Sequence, residues 1–378
     1  MIQTNELKYN RIVIKAGTGV VTDHGKTLDL STLKNLVSQI SKLKTLGKEI
    51  VLVTSGGIAA GKSILQKNDN DNISFKQVLA SVGQSYLMRT YINLFEAQNL
   101  TVAQALLTRE NFSKRLSYLN VRNTLNKLLE IGIIPIINEN DVVTIEEIGA
   151  SFGDNDKLSA LVASIVDANL LIILTDTNGL YSNDPKQDSS AQLIKKVDKI
   201  DSKIRSYAKN EHDSWSKGGM PSKIDAAYIA TKAGIPVVIC NGKNPTILEK
   251  IIKREEVGRI FNTKTTLLDN KKRWLLGAVS ENNQIIVDKG AAIAIQKGVN
   301  SLLPSGVVDI NGDFKRGESI NIVNQDKKII ACGISNYDAE SVLELKGIHS
   351  SKISEILGFD FGEEIIHRNN MILLKGIN

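Results

Sequence analysis

Strand-like and helix-like hydrophobic patterns alternate over the first 260 residues. Short apolar runs predict buried strands at 11–15, 49–54, 101–107, 133–137, 170–175 and 236–240. Apolar residues at helical spacing predict helices at 30–46, 75–97, 116–131, 157–168 and 222–233. Gly47 marks the end of the first of these helices, and Pro135 suggests an edge or end position for its strand. This alternation predicts a mostly parallel sheet between two layers of helices.

The pattern changes near residue 262. A polar, basic stretch at 263–273 is typical of a linker, and β-branched runs separated by turn residues follow at 284–287, 306–310, 319–323 and 328–334. We therefore predict an α/β domain over residues 8–262, a linker over 263–273 and a small β-rich domain over 274–378.

Composition places the chain among ordinary globular proteins, with 378 residues, 42% hydrophobic and 23% charged. No apolar run approaches the roughly 18 residues that a membrane span requires, and the N-terminal segment has no apolar signal core. Cys240 and Cys332 have no CxxC spacing, and the four histidines are scattered. These features disfavour a disulfide framework and a cysteine zinc site, and they predict a reducing, cytoplasmic location.

The net charge of +6 raises the question of nucleic acid binding. Residues 271–378 contain 13 basic and 13 acidic side chains, so the whole excess lies in the first 270 residues. A modest surplus there suits an enzyme with anionic substrates at least as well as an RNA-binding protein.

Chemically useful residues follow the predicted strands. In an open parallel sheet these positions share one edge. They include the lysine and glycines of 15–19, the serine and glycines of 55–57, the Asn and Asp residues of 138–141 and 154–156, Asp176, and a glycine loop before Lys223. Glycine loops let backbone N–H groups approach phosphate oxygens, and lysines neutralise a transferring phosphoryl group. The combination favours phosphoryl transfer.

A different kind of phosphate site is also possible. Residues 56–63, GGIAAGKS, match the P-loop pattern GxxxxGK[ST] between a predicted strand and a predicted helix. A P-loop ATPase or nucleotide kinase would then use Lys62 and Ser63. That hypothesis leaves the segments 15–19, 137–141 and 152–156 without roles, and the small residues could equally allow close helix packing.

Six segments together resemble the amino acid kinase family in order and spacing: RIVIKAGTGVV, VLVTSGGIAAGK, PIINENDVV, FGDNDKLSALVA, LTDTNGLYSNDP and GGMPSKIDAA. Within that family they are similar to the branch that phosphorylates the γ-carboxylate of L-glutamate. Residues 297–323 resemble a PUA domain. The resemblance implies a three-layer αβα sandwich with a mostly parallel central sheet, followed by a small C-terminal β-barrel.

The same resemblance implies roles for individual residues. Lys15 and Lys223 would act on the phosphates, and Asp156 would orient both lysines. Ser55, Asp141 and Asn155 would bind glutamate. The implied nucleotide contacts, besides Lys15, are Thr175, Asp176, Lys217, Gly218, Gly219, Met220, Pro221, Ser222 and Lys223. In this loop Lys217 and Pro221 depart from the family pattern, which has threonine and a small polar residue at these positions.

The implied co-substrate is ATP with Mg²⁺, and the implied product, L-glutamyl 5-phosphate, opens proline biosynthesis. Feedback inhibition by proline, a reductase as metabolic partner and a homo-oligomer are implied in the same way. RNA binding through the PUA domain is disfavoured by the balanced charge of that domain.

Overall fold

The computed structural model describes residues 9–66, 73–143, 155–183, 188, 190–194, 196–208, 219–255, 259–263, 282–298 and 300–374. These residues fall into two compact units. One comprises residues 9–112 and 121–263, and the other comprises residues 113–120 and 282–374.

Strands and helices alternate between residues 9 and 263, as the hydrophobic pattern predicts. The strands are β1 (Arg11–Ala16), β2 (Thr22–Asp23), β3 (Thr27–Leu28), β4 (Glu49–Thr54), β5 (Val102–Leu107), β6 (Ile134–Glu139), β7 (Leu170–Thr175), β8 (Lys196–Val197), β9 (Val237–Asn241) and β10 (Arg259–Phe261). The helices are α1 (Thr18–Val21), α2 (Leu30–Thr45), α3 (Gly57–Leu65), α4 (Ile73–Glu96), α5 (Glu110–Ser113), α6 (Arg115–Glu130), α7 (Asn155–Ile165), α8 (Ser202–Ala208), α9 (Met220–Lys232) and α10 (Ile247–Ile252).

An eight-stranded sheet organises the first unit, with the strand order β5-β6-β4-β1-β7-β9-β10-β8. All neighbouring pairs in this sheet are parallel except β9 and β10. Alternate residues of β1 belong to opposite faces of the sheet. Ile12 and Ile14 pack into a core with α2 and α4, whereas Val13 is buried on the other face, where α7 contacts β1. Helices therefore cover both faces, which confirms the predicted αβα layers.

The second unit contains a five-stranded mixed sheet and short helices. Its sheet has the order β12-β11-β13-β14-β15. These strands are β11 (Gln284–Val287), β12 (Val307–Asn311), β13 (Ser319–Val323), β14 (Ile329–Ile334) and β15 (Met371–Leu373), and the helices are α11 (Lys289–Gln296), α12 (Ala339–Leu345) and α13 (Ile353–Leu357). Phe314 and Tyr337 are the largest side chains of its core. This confirms a small β-rich domain, although the sequence pattern did not predict the three helices.

Two details refine the predictions for β6. The strand runs on to Glu139, so Asn138 and Glu139 lie inside it rather than after it, because both continue the pairing with β5. Pro135 sits near the start of this interior strand, where pairing with β4 has not yet begun.

Gly47 ends α2 as expected, with φ of +73°. The predicted linker lies outside the described residues from position 264 onward.

Candidate active site

Four adjacent parallel strands end at one edge of the sheet. They lie in the order β6-β4-β1-β7. Their carboxyl ends bring together Asn138 from β6, Ser55 just after β4, Lys15 from β1 and Thr175 from β7. This edge is the usual ligand-binding position of an open α/β sheet.

A buried carboxylate joins two lysines at this edge. Asp156 is in the first turn of α7, and its Oδ1 lies 2.5 Å from the Nζ of Lys15. Its Oδ2 lies 3.5 Å from the Nζ of Lys223, which is in the first turn of α9, and 3.1 Å from the hydroxyl of Ser222. The Asp156 side chain is fully buried, and those of Lys15 and Lys223 are 6% and 9% exposed. The structure thus brings together the three residues predicted for catalysis.

The alternation of β1 explains how Lys15 reaches this cluster. Lys15 shares the sheet face of Val13, two positions earlier, and α7 contacts β1 on that face. Gly17 leaves room for the lysine to fold back, since a Cβ at Gly17 would lie 3.0 Å from the Lys15 Nζ. A side chain at position 17 would therefore press on the Lys15 ammonium group and require it to shift.

Asp156 is ionised in this setting. Burial by itself would raise the pKa of the carboxyl group. The ammonium groups of Lys15 and Lys223 outweigh this effect, with help from the Ser222 hydroxyl, and they hold the pKa of Asp156 below its ordinary value of 3.8. The cluster therefore contains two ammonium groups around one carboxylate.

Asn155, next to Asp156, connects the cluster to the loop after β4. Its Nδ2 lies 2.8 Å from the carbonyl oxygen of Thr54 and 3.0 Å from the hydroxyl of Ser55. Gly56 follows Ser55 with φ of +104°, a conformation that favours glycine, and it is the N-cap residue of helix α3. The structure thus places Ser55 and Asn155, both predicted to bind substrate, in direct contact.

Two amide side chains that were not predicted as site residues complete this part of the edge. Asn155 Nδ2 also lies 2.8 Å from the Oδ1 of Asn138, and Asn138 Nδ2 donates to the Oε1 of Gln84 at 2.8 Å. Asn138 belongs to the 138–141 motif, which gave a signal for it. Gln84 lies within the long helix α4, and nothing in the sequence distinguishes it from a helix-surface glutamine.

Asp141, the third predicted substrate residue, lies in the turn after β6 and is half-buried. Gln77 of α4 holds this turn through a hydrogen bond to the carbonyl oxygen of Val142, at 3.2 Å. Asp141 is therefore at the same edge of the sheet as Ser55 and Asn155, beyond the end of a neighbouring strand.

The predicted nucleotide residues lie around the ends of β7 and α9. Thr175 is buried and donates from its hydroxyl to Asp176, which is exposed. Gly219 is the N-cap residue of α9, and Met220, Pro221 and Ser222 form the first turn of this helix. Proline is compatible with this position. Lys217 and Gly218 lie outside the described residues.

The segment that matches the P-loop pattern has a different structure. Helix α3 begins at Gly57, so residues 57–63 are helical instead of forming a phosphate loop before the helix. A Cβ on Gly61 would overlap the backbone of Leu79 in α4, and one on Gly83 would overlap Gly57. The small residues serve close packing between α3 and α4, so the P-loop hypothesis is wrong for this segment.

Comparisons with known proteins agree with this architecture. Residues 10–241 match the model of the amino acid kinase family, and residues 283–357 match that of the PUA domain. The chain belongs to the amino acid kinase family.

Individual relatives are similar over nearly the whole chain. The chain is 43% identical to the glutamate 5-kinase of Shewanella oneidensis, with 98% of this chain and 99% of the relative covered. It is 42% identical to the glutamate 5-kinase of Dehalococcoides mccartyi, with 98% and 100% covered. The crystal structure of UMP kinase from Bacillus anthracis matches 68% of this chain and 97% of its own, at 17% identity and a TM-score of 0.49.

Within the ranges that the structure describes, no three His, Cys, Asp or Glu side chains lie together as a potential metal site. None of the described helices has the length and apolarity of a membrane span.

Proposed function

We propose that this chain has glutamate 5-kinase activity: it transfers the γ-phosphoryl group of ATP to the γ-carboxylate of L-glutamate. The observation that most directly supports this proposal is the buried cluster of Lys15, Asp156 and Lys223. The glutamate 5-kinases that share about 42% of its residues over nearly the whole chain support the choice of substrate.

The cluster has the charge that a phosphoryl group requires. Two ammonium groups surround one carboxylate, so the cluster as described has a formal charge of +1 in a buried place. Two ammonium groups in such a place attract an anionic phosphate, and Lys15 and Lys223 would neutralise the charge that spreads over the transferring group.

The proposed reaction needs no general base. An unperturbed glutamate side chain has a pKa near 4.3, so the γ-carboxylate is already ionised at neutral pH. One of its oxygens forms a bond to the γ-phosphorus while the bond from that phosphorus to the β,γ-bridging oxygen breaks. The electron pair of the broken bond stays on the bridging oxygen, which leaves as part of ADP. Catalysis then rests on positioning two anions and stabilising their charge.

The other end of glutamate would be held by the loop after β4 and the turn after β6. Ser55 and the amide of Asn155 can hydrogen-bond the substrate, and the Asp141 carboxylate can accept from the α-ammonium group. Their location at the edge that also contains Lys15 supports this assignment.

ATP would lie along the ends of β7 and α9. Thr175, Asp176 and the segment 217–223, which includes Lys217 and Gly218, are the proposed contacts. The N-terminus of α9, a helix of 13 residues with glycine at its N-cap, favours a phosphate. Mg²⁺ would bind together with ATP, because this ion is commonly held by substrate phosphates and few protein carboxylates.

The product is an acyl phosphate, and we propose that a reductase consumes it in the first steps of proline biosynthesis. Inhibition by proline, assembly into a homo-oligomer and a cytoplasmic location belong to the same proposal, and the similarity to glutamate 5-kinases supports them.

Hydroxylamine trapping tests the activity, since it converts an acyl phosphate into a coloured hydroxamate. The purified full chain would be assayed with ATP and Mg²⁺, with L-glutamate or without amino acid, and with L-aspartate and N-acetyl-L-glutamate as comparison substrates. We expect hydroxamate with L-glutamate. Lys15→Ala and Lys223→Ala should each abolish most of it.

Lys62→Ala is the matched control, because it removes a lysine that follows β4 but lies in helix α3. We expect nearly wild-type activity from this variant. ATP turnover that is indifferent to glutamate, or that is lost only in Lys62→Ala, would contradict the proposal.

A further inference from the structure

Three amide side chains form a chain of hydrogen bonds from helix α4 to the candidate substrate site. Gln84 Oε1 accepts from Asn138 Nδ2 at 2.8 Å, and Asn138 Oδ1 accepts from Asn155 Nδ2, also at 2.8 Å. Asn155 in turn contacts Ser55. These hydrogen bonds thus connect a helix residue outside the predicted site to two residues proposed to bind glutamate.

The hydrogen bonds fix which way the Asn138 amide faces. Its Oδ1 also accepts from the backbone N–H of Glu139 at 2.9 Å, and an N–H group can only donate. The Nδ2 of Asn138 is therefore turned toward Gln84, which must present its oxygen. A glutamine or glutamate at position 84 meets this requirement, and an apolar side chain does not.

The orientation of Asn155 follows from that of Asn138. Its Nδ2 faces the Asn138 Oδ1 and the carbonyl oxygen of Thr54, and neither of these atoms can donate. A reversed amide would place oxygen against both acceptors. The Asn155 Oδ1 therefore faces away from these two acceptors. It is buried and, among the residues that the structure describes, meets no hydrogen-bond donor.

We infer that Gln84 is a positioning residue that, through Asn138, makes Asn155 present an acceptor oxygen to the α-ammonium group of the amino-acid substrate. A buried acceptor without a donor is unfavourable, and an ammonium group supplies donors. This inference rests on the proposed function, since it assumes that glutamate binds beside Ser55 and Asn155.

Through these hydrogen bonds, a change at Gln84 affects binding of one substrate group, the α-ammonium group. Without an acceptor at position 84, the Asn138 Nδ2 loses this partner, and only the Glu139 N–H still orients the Asn138 amide. Asn138 is then held less firmly, and so is Asn155, which donates to it. Binding of the ammonium group weakens, while the lysine cluster and the bound ATP are unaffected. Glutarate, which has both carboxylates of glutamate but no ammonium group, would be insensitive to this change.

The test compares Gln84→Met, which removes the acceptor at similar size, with Gln84→Glu, which keeps it. Using hydroxylamine trapping, we expect Gln84→Met to raise the KM for L-glutamate about tenfold, the effect of one lost buried hydrogen bond, with little change in kcat or in the KM for ATP. Gln84→Glu should recover most of the affinity. The preference for L-glutamate over glutarate, measured as the ratio of kcat/KM values, should fall about tenfold in Gln84→Met only.

Gln98→Met is the control, because it makes the same change at an exposed glutamine just beyond α4. Equal loss of activity on L-glutamate and glutarate in Gln84→Met, or an unchanged KM for glutamate, would overturn the inference. These outcomes are distinct from failure of the proposed function, in which the wild-type chain itself would form no glutamate-dependent hydroxamate.

Discussion

The Oδ1 of Asp156 lies 2.5 Å from the Nζ of Lys15, and its other oxygen lies 3.5 Å from the Nζ of Lys223. One buried carboxylate therefore sets the separation between two cations from different layers of the fold, one on a strand and one on a helix. The pairing keeps both ammonium groups at the sheet edge.

Asp156→Asn should separate positioning from charge. The substitution keeps the shape of the side chain but removes its charge, so two buried ammonium groups repel each other. Removing one partner of a buried pair costs about 3 kcal/mol of stability, which urea unfolding would measure. We expect kcat to fall about a hundredfold, because the lysines lose their fixed positions. Affinity for ATP should not fall, since the site becomes more positive.

Ser222→Ala is the milder comparison for this variant. It removes the hydroxyl contact to the Asp156 Oδ2 and leaves the charges in place. Its kcat should remain within about threefold of wild type, in line with the loss of a single hydrogen bond. Wild-type kcat in Asp156→Asn would show that the carboxylate does not position the lysines.

The lowered pKa of Asp156 predicts a specific acid sensitivity. Because the folded-state pKa lies below the ordinary value of 3.8, this group contributes stability above that value, and the contribution is lost as the pH falls through the folded-state pKa. Urea midpoints measured from pH 6 to pH 2.5 should therefore fall less steeply in Asp156→Asn than in wild type. Parallel curves for the two proteins would contradict the assigned direction of the pKa.

Gly83→Ala tests the close contact between α3 and α4. Alanine normally stabilises a helix by about 1 kcal/mol relative to glycine. Here its Cβ would overlap the carbonyl oxygen of Gly57 and approach the backbone nitrogen of Gly61, and neither is a flexible side chain. Overpacking costs about 1–3 kcal/mol or more, so we expect a net loss of stability in urea unfolding and a higher KM for glutamate, since Gly57 lies two residues after Ser55.

Ser85→Ala is the control for this prediction. Ser85 is exposed on the same helix, so the alanine should be neutral or slightly stabilising there. A stabilised Gly83→Ala would mean that the two helices can separate without cost.

Most of the fold could be predicted from hydrophobic periodicity alone. The strands β4, β7, β11 and β13 have the predicted bounds, because each is an apolar run bordered by turn or polar residues. The sequence pattern failed where polar residues are buried. Asn138 and Glu139 are almost fully buried within β6, although their side chains suggested a loop. Their polarity hides the end of the strand from a hydrophobic pattern.

The site was predictable where a motif lay at a strand end and unpredictable where a helix contributed from a distance. Lys15, Asp156 and Lys223 followed from glycine-bearing segments and from the family resemblance. Gln84 did not, because 54 positions separate it from its partner Asn138. It lies on α4, and an amphipathic pattern does not identify the strand that a helix face meets.

Tyr337→Phe tests an alkaline limit of stability in the second unit. The Tyr337 hydroxyl accepts from the Phe361 N–H at 2.9 Å and donates to the Gly362 carbonyl oxygen at 2.6 Å. Burial raises the pKa of Tyr337 from 10.0 to about 12, so the folded protein keeps a proton that the unfolded chain loses above pH 10. Stability should therefore fall as the pH rises from about 10 toward 12.

The phenylalanine variant should be less stable at neutral pH by about 1–3 kcal/mol, because it leaves the Phe361 N–H and the Gly362 carbonyl without this partner. Its urea midpoint should, however, decline less between pH 9 and pH 11.5 than that of wild type. The two curves should converge as the pH rises, since the variant has no phenol whose ionisation favours the unfolded chain. If both midpoints declined in parallel, the alkaline sensitivity would have to come from another group.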